Sequence, residues 1–359
     1  MKKKYKFFVV SDIHGEYDAL TKTLQEAGYN PDNEEHFFVA IGDSFDRGPR
    51  SRDIYRFFRG LPSQRSKFVK GNHDLMFQEY LEKGMDGEFV LFNILHNGLG
   101  ATINSFGCLD MENLGASIPI LDDCHSYIQR EYPGLKKFIK DMPLWFETDH
   151  VVFVHAGLNP ELSNWRETDE HYALWDIADA HKKVPSCDKL IVFGHYHTDQ
   201  VAEQAKREGD NKVYRLNSIN SAFTSISAGR ANFSVRNYGN EDEFSAIYLP
   251  NARKIAIDGC TNLTHKVNVL VFEDTITTPD GEPTPEQPAD ISTIKISKDD
   301  MSGYVTTVEG VRADGVITTT AEWNPGVYTI NMANYVNFTE PQWFTAGLAE
   351  TDVDGGERI

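Results

Sequence analysis

Asp and His residues recur in short loops that each follow an apolar run of the chain. The stretch VVSDIHGEYDAL (9–20) leads directly from apolar residues into Asp12 and His14, and then turns at Gly15. Side chains at positions i and i+2 of a strand point the same way, so these two would emerge side by side where the strand ends. A carboxylate and an imidazole placed in this way can hold a cation.

The same arrangement occurs in five loops, which read SDIHG (11–15), GDSFDRG (42–48), GNHD (71–74), VHAG (154–157) and GHYH (194–197). They offer seven candidate metal ligands: Asp12, His14, Asp43, Asn72, His155, His195 and His197. This mixture of carboxylate, imidazole and amide donors suits Mn, Fe, Zn or Co better than Ca or an all-oxygen Mg site. Seven groups are too many for one ion and fit two ions that share a carboxylate. Such a pair can bind a phosphoryl group and generate a hydroxide nucleophile.

Three further residues in these loops fit phosphate chemistry. The guanidinium of Arg47 can grip two phosphate oxygens in a fixed geometry. His73 follows the candidate ligand Asn72 and is free to donate a proton to a leaving alkoxide. A carboxylate such as that of Asp46 would fix the tautomer of His73 and keep its imidazole charged.

The elements that must position these residues are short strands alternating with helices. Apolar runs lie at 6–10, 36–41, 67–69, 151–154 and 190–193, and helix-like stretches lie at 17–27, 52–59 and 75–83. This alternation predicts an α/β core, in which the five loops converge beyond the carboxyl ends of the strands. Asp74 is expected to cap the helix that begins at Leu75.

The domain organisation is predicted from changes in pattern along the chain. A first domain covers residues 1–274 and contains a helical insertion or cap at 85–150. Residues 200–248 are interpreted as an extended loop region, with short strands left open. A Pro-rich linker at 275–290 follows, and residues 291–359 are predicted to form a small β-rich extension with an acidic tail.

Composition and charge narrow the possible partners and compartment. The chain carries 35 Lys and Arg against 54 Asp and Glu, for a net charge of −19, which argues against a nucleic acid as the main partner. Its 4 cysteines show no CxxC spacing, so they are interpreted as reduced thiols in a cytoplasmic protein. No apolar stretch is long enough to predict a membrane span.

In order and spacing, the five loops resemble the motifs of the calcineurin-like metallophosphoesterase superfamily: D-x-H, G-D-x-x-D-R-G, G-N-H-[DE], a later His, and G-H-x-H. The resemblance spans residues 9–197, and IAIDGC (255–260) is similar to the strand that follows in many members. The DRG and HNG sequences point towards the phosphoprotein phosphatase branch, which includes bacterial and phage Ser/Thr phosphatases and symmetrical dinucleoside tetraphosphatases. The resemblance implies two packed mixed β-sheets flanked by helices, here followed by the β-rich C-terminal extension.

The resemblance also implies roles for the site residues. Asp12, His14 and a bridging Asp43 would hold the first metal, and Asn72, His155 and His195 would complete the second. His73 with Asp46 would be the acid dyad, and Arg47 the phosphate clamp. Two features depart from the branch. His197 offers a further ligand to the first metal, as in phosphodiesterase-type members, and no clear second Arg follows VHAG, where Arg166 is a candidate substitute.

The function predicted on this basis is a metal-dependent phosphoesterase with two divalent ions, Mn being the first choice among Mn, Fe, Zn, Co and Ni. It would hydrolyse phosphomonoesters by attack of a metal-bound hydroxide, with a phosphorylated protein as the leading substrate. One alternative is hydrolysis of a dinucleoside polyphosphate, a cyclic nucleotide or another phosphodiester. The other is a catalytically idle scaffold of the same fold that binds a partner protein.

Overall fold

The computed structural model describes residues 2–107, 118–209, 212–216, 224–228 and 231–277, together with four short strands nearer the C-terminus. The chain divides into two compact units, residues 1–279 and residues 280–359. All of the sequence motifs lie in the first unit. Among the described residues, no helix combines the length and the apolar character needed to cross a membrane.

The first unit contains twelve described strands and ten described α-helices. The strands are β1 (Lys2–Val10), β2 (His36–Ile41), β3 (Ser66–Val69), β4 (Trp145–Glu147), β5 (Val151–Val154), β6 (Leu190–Phe193), β7 (Tyr214–Arg215), β8 (Thr224–Ala228), β9 (Ala231–Tyr238), β10 (Ile247–Leu249), β11 (Lys254–Ala256) and β12 (Val269–Thr277). The helices are α1 (Tyr17–Glu26), α2 (Ser51–Gly60), α3 (Asn72–Lys83), α4 (Val90–His96), α5 (Leu99–Ser105), α6 (Ile118–Glu131), α7 (Leu135–Lys140), α8 (Glu170–Trp175), α9 (Thr198–Arg207) and α10 (Thr261–Thr264).

These strands form two six-stranded mixed sheets. The first has the order β3-β2-β1-β12-β9-β8 and the second the order β4-β5-β6-β11-β10-β7. In the first sheet, β1, β2 and β3 run parallel to one another. In the second, β5, β6 and β11 do so. Parallel strands end at the same edge of a sheet, so the polar loops that follow them are gathered there.

The hydrophobic core lies in layers on both sides of each sheet. Side chains of strand β1 alternate between two layers of the core. Phe7 and Val9 belong to the cluster between the sheets, whereas Phe8 and Val10 pack against helices on the other face of the first sheet. A third cluster packs α8 and α9 against the second sheet. Two packed mixed sheets flanked by helices are therefore present, and the predicted fold class of this unit is confirmed.

Residues 200–248 contain most of α9, which was not predicted. They also contain β7 to β9 and the start of β10, in agreement with the short strands that the prediction left open. Val201, Ala202 and Ala205 are buried on one face of α9, while Lys206 and Arg207 are exposed, so the helix is amphipathic. Helix α3 also begins earlier than predicted, at Asn72 instead of Leu75. Residues 85–150 contain four helices and the strand β4 among their described residues.

The second unit has four described strands: β13 (Ile294–Lys298), β14 (Val305–Val308), β15 (Tyr328–Asn331) and β16 (Trp343–Ala346). They pair antiparallel in the order β14-β13-β15-β16. Residues 278–290 of the predicted linker and the predicted acidic tail lie outside the described residues.

Candidate metal centre

The five polar loops meet at the carboxyl ends of the parallel strands. Backbone hydrogen bonds tie the first two loops together, since the N–H of Asp12 donates to Gly42 O at 3.2 Å and the N–H of His14 donates to Asp43 O at 3.0 Å. Between the loops that follow β5 and β6 of the second sheet, the N–H of Gly194 donates to His155 O at 2.8 Å. The loops are thus held by main-chain contacts as well as by any ligand they share.

The backbone of these loops is strained at six of the candidate residues. Left-handed φ values are found at Asp12 (49°), His14 (47°), Asp43 (49°), Asp46 (69°), Arg47 (67°) and His195 (63°). Such values are uncommon for non-glycine residues and cost about 1–3 kcal/mol each, so they persist only where the surroundings impose them. Clustered strain of this kind is typical of functional sites, where it aims side chains that a relaxed strand end would not converge.

The carboxylate of Asp43 lies at the centre of the buried site. Two groups of potential ligand atoms include it, and within each group the atoms lie within 4.8 Å of one another. His14, Asp43 and His73 form one group, and Asp43, His155 and His195 form the other. A carboxylate shared by two neighbouring groups has the placement needed to bridge two cations.

The imidazoles of His14 and His155 are oriented in the way typical of metal ligands. Each donates its Nδ1–H to a backbone carbonyl at 3.0 Å, Phe45 O for His14 and Ile41 O for His155. Their Nε2 atoms then face Asp43, at 3.7 Å and 3.3 Å from its carboxylate oxygens. A hydrogen bond from the second ring nitrogen fixes the tautomer and ring orientation of a ligating histidine.

Burial keeps the imidazoles of His14 and His195 neutral. It lowers the pKa of His14 well below the usual value. Burial and the neighbouring His155 lower the pKa of His195 to about 4. Burial would raise the pKa of Asp43, but the imidazoles of His155, His73 and His14 outweigh it and hold that pKa below its usual range. Neutral imidazoles and an ionised carboxylate are the forms that bind metals.

Asn72 begins α3 and lies within the same group of side chains, because its Oδ1 is 2.9 Å from His155 Nε2. The neighbouring Asp74 accepts hydrogen bonds from the N–H groups of Gly71 at 2.8 Å and Ser44 at 3.1 Å. It therefore caps α3 and ties the loops after β2 and β3 together. Burial and the nearby Asp43 raise the pKa of Asp74 to about 7.

Neither Asp12 nor His197 is a member of these two groups in the described part of the chain. The carboxylate of Asp12 accepts the His195 N–H at 3.0 and 3.1 Å and the hydroxyl of Ser11. The His197 side chain is 27% exposed, and its Nε2 lies 3.9 Å from Asp258 Oδ2. Their roles as ligands stay predictions.

His73, Asp46 and Thr102 form a hydrogen-bonded chain beside Asp43. His73 Nδ1 lies 2.9 Å from Asp46 Oδ2, and the Thr102 hydroxyl donates to Asp46 Oδ1 at 2.8 Å. Burial would lower the pKa of His73, but the carboxylates of Asp43 and Asp46 outweigh it and raise that pKa. The arrangement suits an imidazole that carries a proton.

The guanidinium of Arg47 joins the two parts of the site. Its Nη1 lies 3.1 Å from His14 Nε2 and its Nη2 lies 3.1 Å from His73 Nε2. Its backbone N–H donates to Gly98 O at 3.1 Å, and a side chain at Gly98, where φ is +88°, would overlap the Arg47 backbone. The Asn97-Gly98 sequence thus makes a turn that supports Arg47.

The candidate substitute for a second phosphate-binding Arg is engaged elsewhere. The guanidinium of Arg166 pairs with Glu147 at 2.6 and 3.0 Å and lies over the ring of Trp165 at 4.3 Å. A cavity lies beside His73, and Arg166 is not one of the described residues that line it. Its predicted role in binding phosphate has no support in this geometry.

Sequence reasoning missed several residues that surround the centre. Asp258 follows the apolar residues of β11 and precedes a glycine, which is the same signal that identified the other loops. Burial and Asp12 raise the pKa of Asp258 to about 7. Thr102 carries no such signal, because only the fold brings α5 beside Asp46. The same holds for Trp175, which helps to line a cavity of about 690 Å³ beside Arg47 and His73.

Comparisons with known proteins identify the family of this chain. The Calcineurin-like phosphoesterase family matches residues 5–212. A serine/threonine-protein phosphatase 2 of Escherichia coli is 39% identical over 45% of this chain and 75% of its own length. A symmetrical bis(5'-nucleosyl)-tetraphosphatase of Actinobacillus pleuropneumoniae is 38% identical over 57% of this chain and 59% of its own length. A metallophosphoesterase structure from Sphaerobacter thermophilus superposes with a TM-score of 0.34 at 15% identity, covering 76% of this chain and 88% of that one.

The family model covers more than half of this chain, so the chain belongs to the calcineurin-like phosphoesterases. The predicted superfamily and the predicted class of enzyme, a metal-dependent phosphoesterase, are confirmed. Its relatives include both a protein phosphatase and tetraphosphatases, the two kinds of enzyme that the predicted branch includes.

Proposed function

We propose that this protein hydrolyses phosphomonoesters with the help of two divalent cations, Mn²⁺ in the first instance, and that its substrates are phosphorylated proteins. The observation that carries the proposal is the placement of Asp43. Its carboxylate belongs to two adjacent groups of ligand atoms, and the acid pair His73 and Asp46 lies directly beside it.

The donor set fits two borderline divalent cations. Imidazole nitrogens, a shared carboxylate and the Asn72 amide are the ligand types that Mn, Fe, Zn and Co accept. We assign His14, Asp12 and Asp43 to one cation, with His197 as a further candidate. Asp43, Asn72, His155 and His195 would hold the other. When bound, the cations would neutralise charge on the phosphoryl oxygens and lower the pKa of a coordinated water.

The protein's own residues would supply orientation and the proton. Arg47 presents both Nη atoms towards the centre and can grip two phosphate oxygens. Once Arg47 turns from His73 Nε2 to the phosphate oxygens, that nitrogen would carry a proton and give it to the departing alkoxide oxygen. Asp46, held by Thr102, keeps Nδ1 as the other protonated nitrogen of the imidazolium. Protonation of the leaving group matters most for an alkoxide such as that of serine, because it is a strong base.

The test compares p-nitrophenyl phosphate with bis-p-nitrophenyl phosphate, using metal-stripped protein reloaded with Mn²⁺. We expect two Mn²⁺ per chain by elemental analysis and preferential turnover of the monoester. Asp43→Asn should lose both bound metal and turnover, since it removes a charge from both groups of ligands. Preference for the diester, or turnover without metal, would contradict the proposal.

A second candidate function is hydrolysis of a dinucleoside polyphosphate, which the similarity to symmetrical tetraphosphatases favours. Parallel assays of a phosphoserine peptide and a dinucleoside tetraphosphate under the same metal loading separate the two. The substrate with the higher kcat/KM identifies the function, and silence on both with metal bound would favour the scaffold alternative.

A further inference from the structure

Aromatic side chains are exposed close to the phosphate-binding end of the site. Phe89 and Phe92, at the start of α4, are 58% and 55% exposed, and Trp175, the last residue of α8, is 37% exposed. Large aromatic side chains left open to solvent in one place usually mark a binding surface. We call these three residues the aromatic groove.

The aromatic groove is continuous with the candidate centre. Its three residues line the same cavity of about 690 Å³ as Arg47, Asn72 and His73. The ring of Trp175 also lies 6.4 Å from that of His195. A cavity of this size holds far more than a phosphoryl group, so the chemical group attached to the phosphate would enter the groove.

The charges in the cavity discriminate between possible occupants. Among its described lining residues the cationic side chains are Arg47, Lys83 and the protonated His73 proposed above, and the Lys83 ammonium is paired with Glu79 at 3.2 Å. Glu82 adds a further carboxylate to the lining, and the nearby Asp86 and Glu88 are exposed. Additional phosphate groups of a polyphosphate would meet acidic side chains here, whereas an apolar side chain of a peptide would meet aromatic rings.

We infer that the aromatic groove binds an apolar or aromatic side chain that flanks the phosphorylated residue of a protein substrate, and so selects among phosphoproteins. This inference rests on the proposed phosphomonoesterase function. It gives the exposed rings a role in specificity and leaves the metal ligands and His73 to the chemistry.

The experiment uses the Mn²⁺-loaded full chain and two sets of phosphoserine peptides that differ in one neighbouring residue, Ala or Phe, placed before or after the phosphoserine. Because the phosphoester is the same, any preference reports the groove. We expect a Phe-flanked peptide to have a KM lower by about tenfold, in line with the interaction of aromatic rings. Phe92→Ala and Trp175→Ala should each remove most of that preference, and Trp175→Phe should keep it.

Two matched variants control for changes to the helices themselves. Leu95 lies on α4 and Ile177 lies just beyond α8; both are exposed and neither lines the cavity. Leu95→Ala and Ile177→Ala should leave the preference unchanged. Thermal unfolding of every variant checks that the exposed substitutions have not altered the fold.

The outcomes separate this inference from the proposed function. Turnover without a preference for Phe-flanked peptides, or a preference that survives in Phe92→Ala and Trp175→Ala, overturns the inference alone. If Phe92→Ala and Trp175→Ala lose turnover of a dinucleoside tetraphosphate only, the groove binds a nucleobase, and the inference is likewise overturned. If no phosphate ester is hydrolysed, the proposed function fails. In that case, binding of the Phe- and Ala-flanked peptides is measured by tryptophan fluorescence, with Trp175→Phe as reference. Equal affinity for the two peptides would overturn the inference, and tighter binding of the Phe-flanked peptide would support it.

Discussion

His73 is held from three directions in the buried site. Its Nδ1 faces Asp46, its Nε2 faces Arg47, and its backbone N–H donates to Asp43 Oδ1 at 2.9 Å. The ring therefore cannot turn without breaking a contact to a carboxylate. A proton donor fixed in this way has a single direction in which to deliver its proton, towards a group bound between Arg47 and Asp43.

Replacing His73 with Asn should lower kcat for a phosphoserine peptide by about 10²–10⁴, the usual contribution of a general acid. The loss for p-nitrophenyl phosphate should be smaller, since its leaving group needs little protonation. Bound Mn²⁺ should stay near the wild-type amount, because His73 is assigned to proton transfer. Steady-state kinetics on both substrates and elemental analysis test this. Phosphoserine turnover within a few-fold of wild type would rule out the acid role.

The chemical types of the site residues could be predicted from the sequence, because Asp, His and Asn each follow an apolar run and adjoin a glycine. Their conformation could not. The left-handed φ of Asp43 and His195 depends on loops packing against one another across two sheets. Thr102 and Trp175 were missed for a related reason, since helices distant in sequence bring them beside Asp46 and His195.

Glycines let the loops after the strands approach each other closely. A side chain at Gly71 would overlap the backbone N and the carboxylate of Asp43, although its φ of −106° is ordinary. The obstacle is therefore contact and not backbone strain. At Gly60, the last residue of α2, an added Cβ would meet nothing within 4 Å.

Gly71→Ala should therefore displace Asp43, lower the free energy of unfolding by about 1–3 kcal/mol as overpacking does, and reduce bound Mn²⁺. Gly60→Ala, the matched control, should keep the metal and stabilise the helix by roughly 0.5–1 kcal/mol. Denaturant unfolding and elemental analysis of both variants measure these effects. Equal metal content and stability in the two variants would show that the close approach of the loops is unimportant.

Strand β11 buries a lysine that the site does not use. The ammonium of Lys254 donates to Asp179 O at 3.0 Å and lies 5.7 Å from the centre of the Phe193 ring. Burial lowers its pKa from 10.5 to about 8, with Asp176 and Asp179 opposing that shift. Below pH 8 the lysine is charged in both the folded and unfolded states, so the full cost of burying the charge is present there.

Lys254→Met should raise the free energy of unfolding at pH 7 by about 1–3 kcal/mol, given about 1.4 kcal/mol per pKa unit and the lost hydrogen bond to Asp179. Between pH 8 and 10.5 the wild type releases its proton on folding, so its stability rises with pH relative to the variant and the difference shrinks. Urea unfolding at pH 7 and pH 10 measures it. The exposed Lys206→Met serves as control, and a difference independent of pH would contradict the buried-charge explanation.

The architecture of the first unit was more predictable from the sequence than its details. Apolar runs followed by polar, glycine-containing loops identified β1, β2, β3, β5 and β6, and their parallel order brings the loops together. The helix α9 was missed because its apolar face is made of Val201, Ala202 and Ala205, two of which are small. Small side chains give a weak periodic signal, although they pack closely against a sheet.

Because the chain divides into two compact units, we expect the first unit to fold without the second. Strand β12 ends at Thr277, opposite Lys2 of β1, so a chain that stops after Pro279 retains every strand of both six-stranded sheets. We expect this truncated protein to bind Mn²⁺ as the full chain does and to hydrolyse p-nitrophenyl phosphate with kcat/KM within about twofold, since every proposed ligand is retained.

A chain that stops at His265 provides the contrast, because it lacks β12, which lies between β1 and β9 in the first sheet. Losing a central strand removes the buried Leu270 and Phe272 and exposes the apolar residues that pack against them, so this form should not fold. Thermal unfolding, metal content and turnover of both truncated forms decide the matter. If the longer form also loses metal or unfolds at a much lower temperature, residues 280–359 contribute to the catalytic unit, and the division into independent units is wrong.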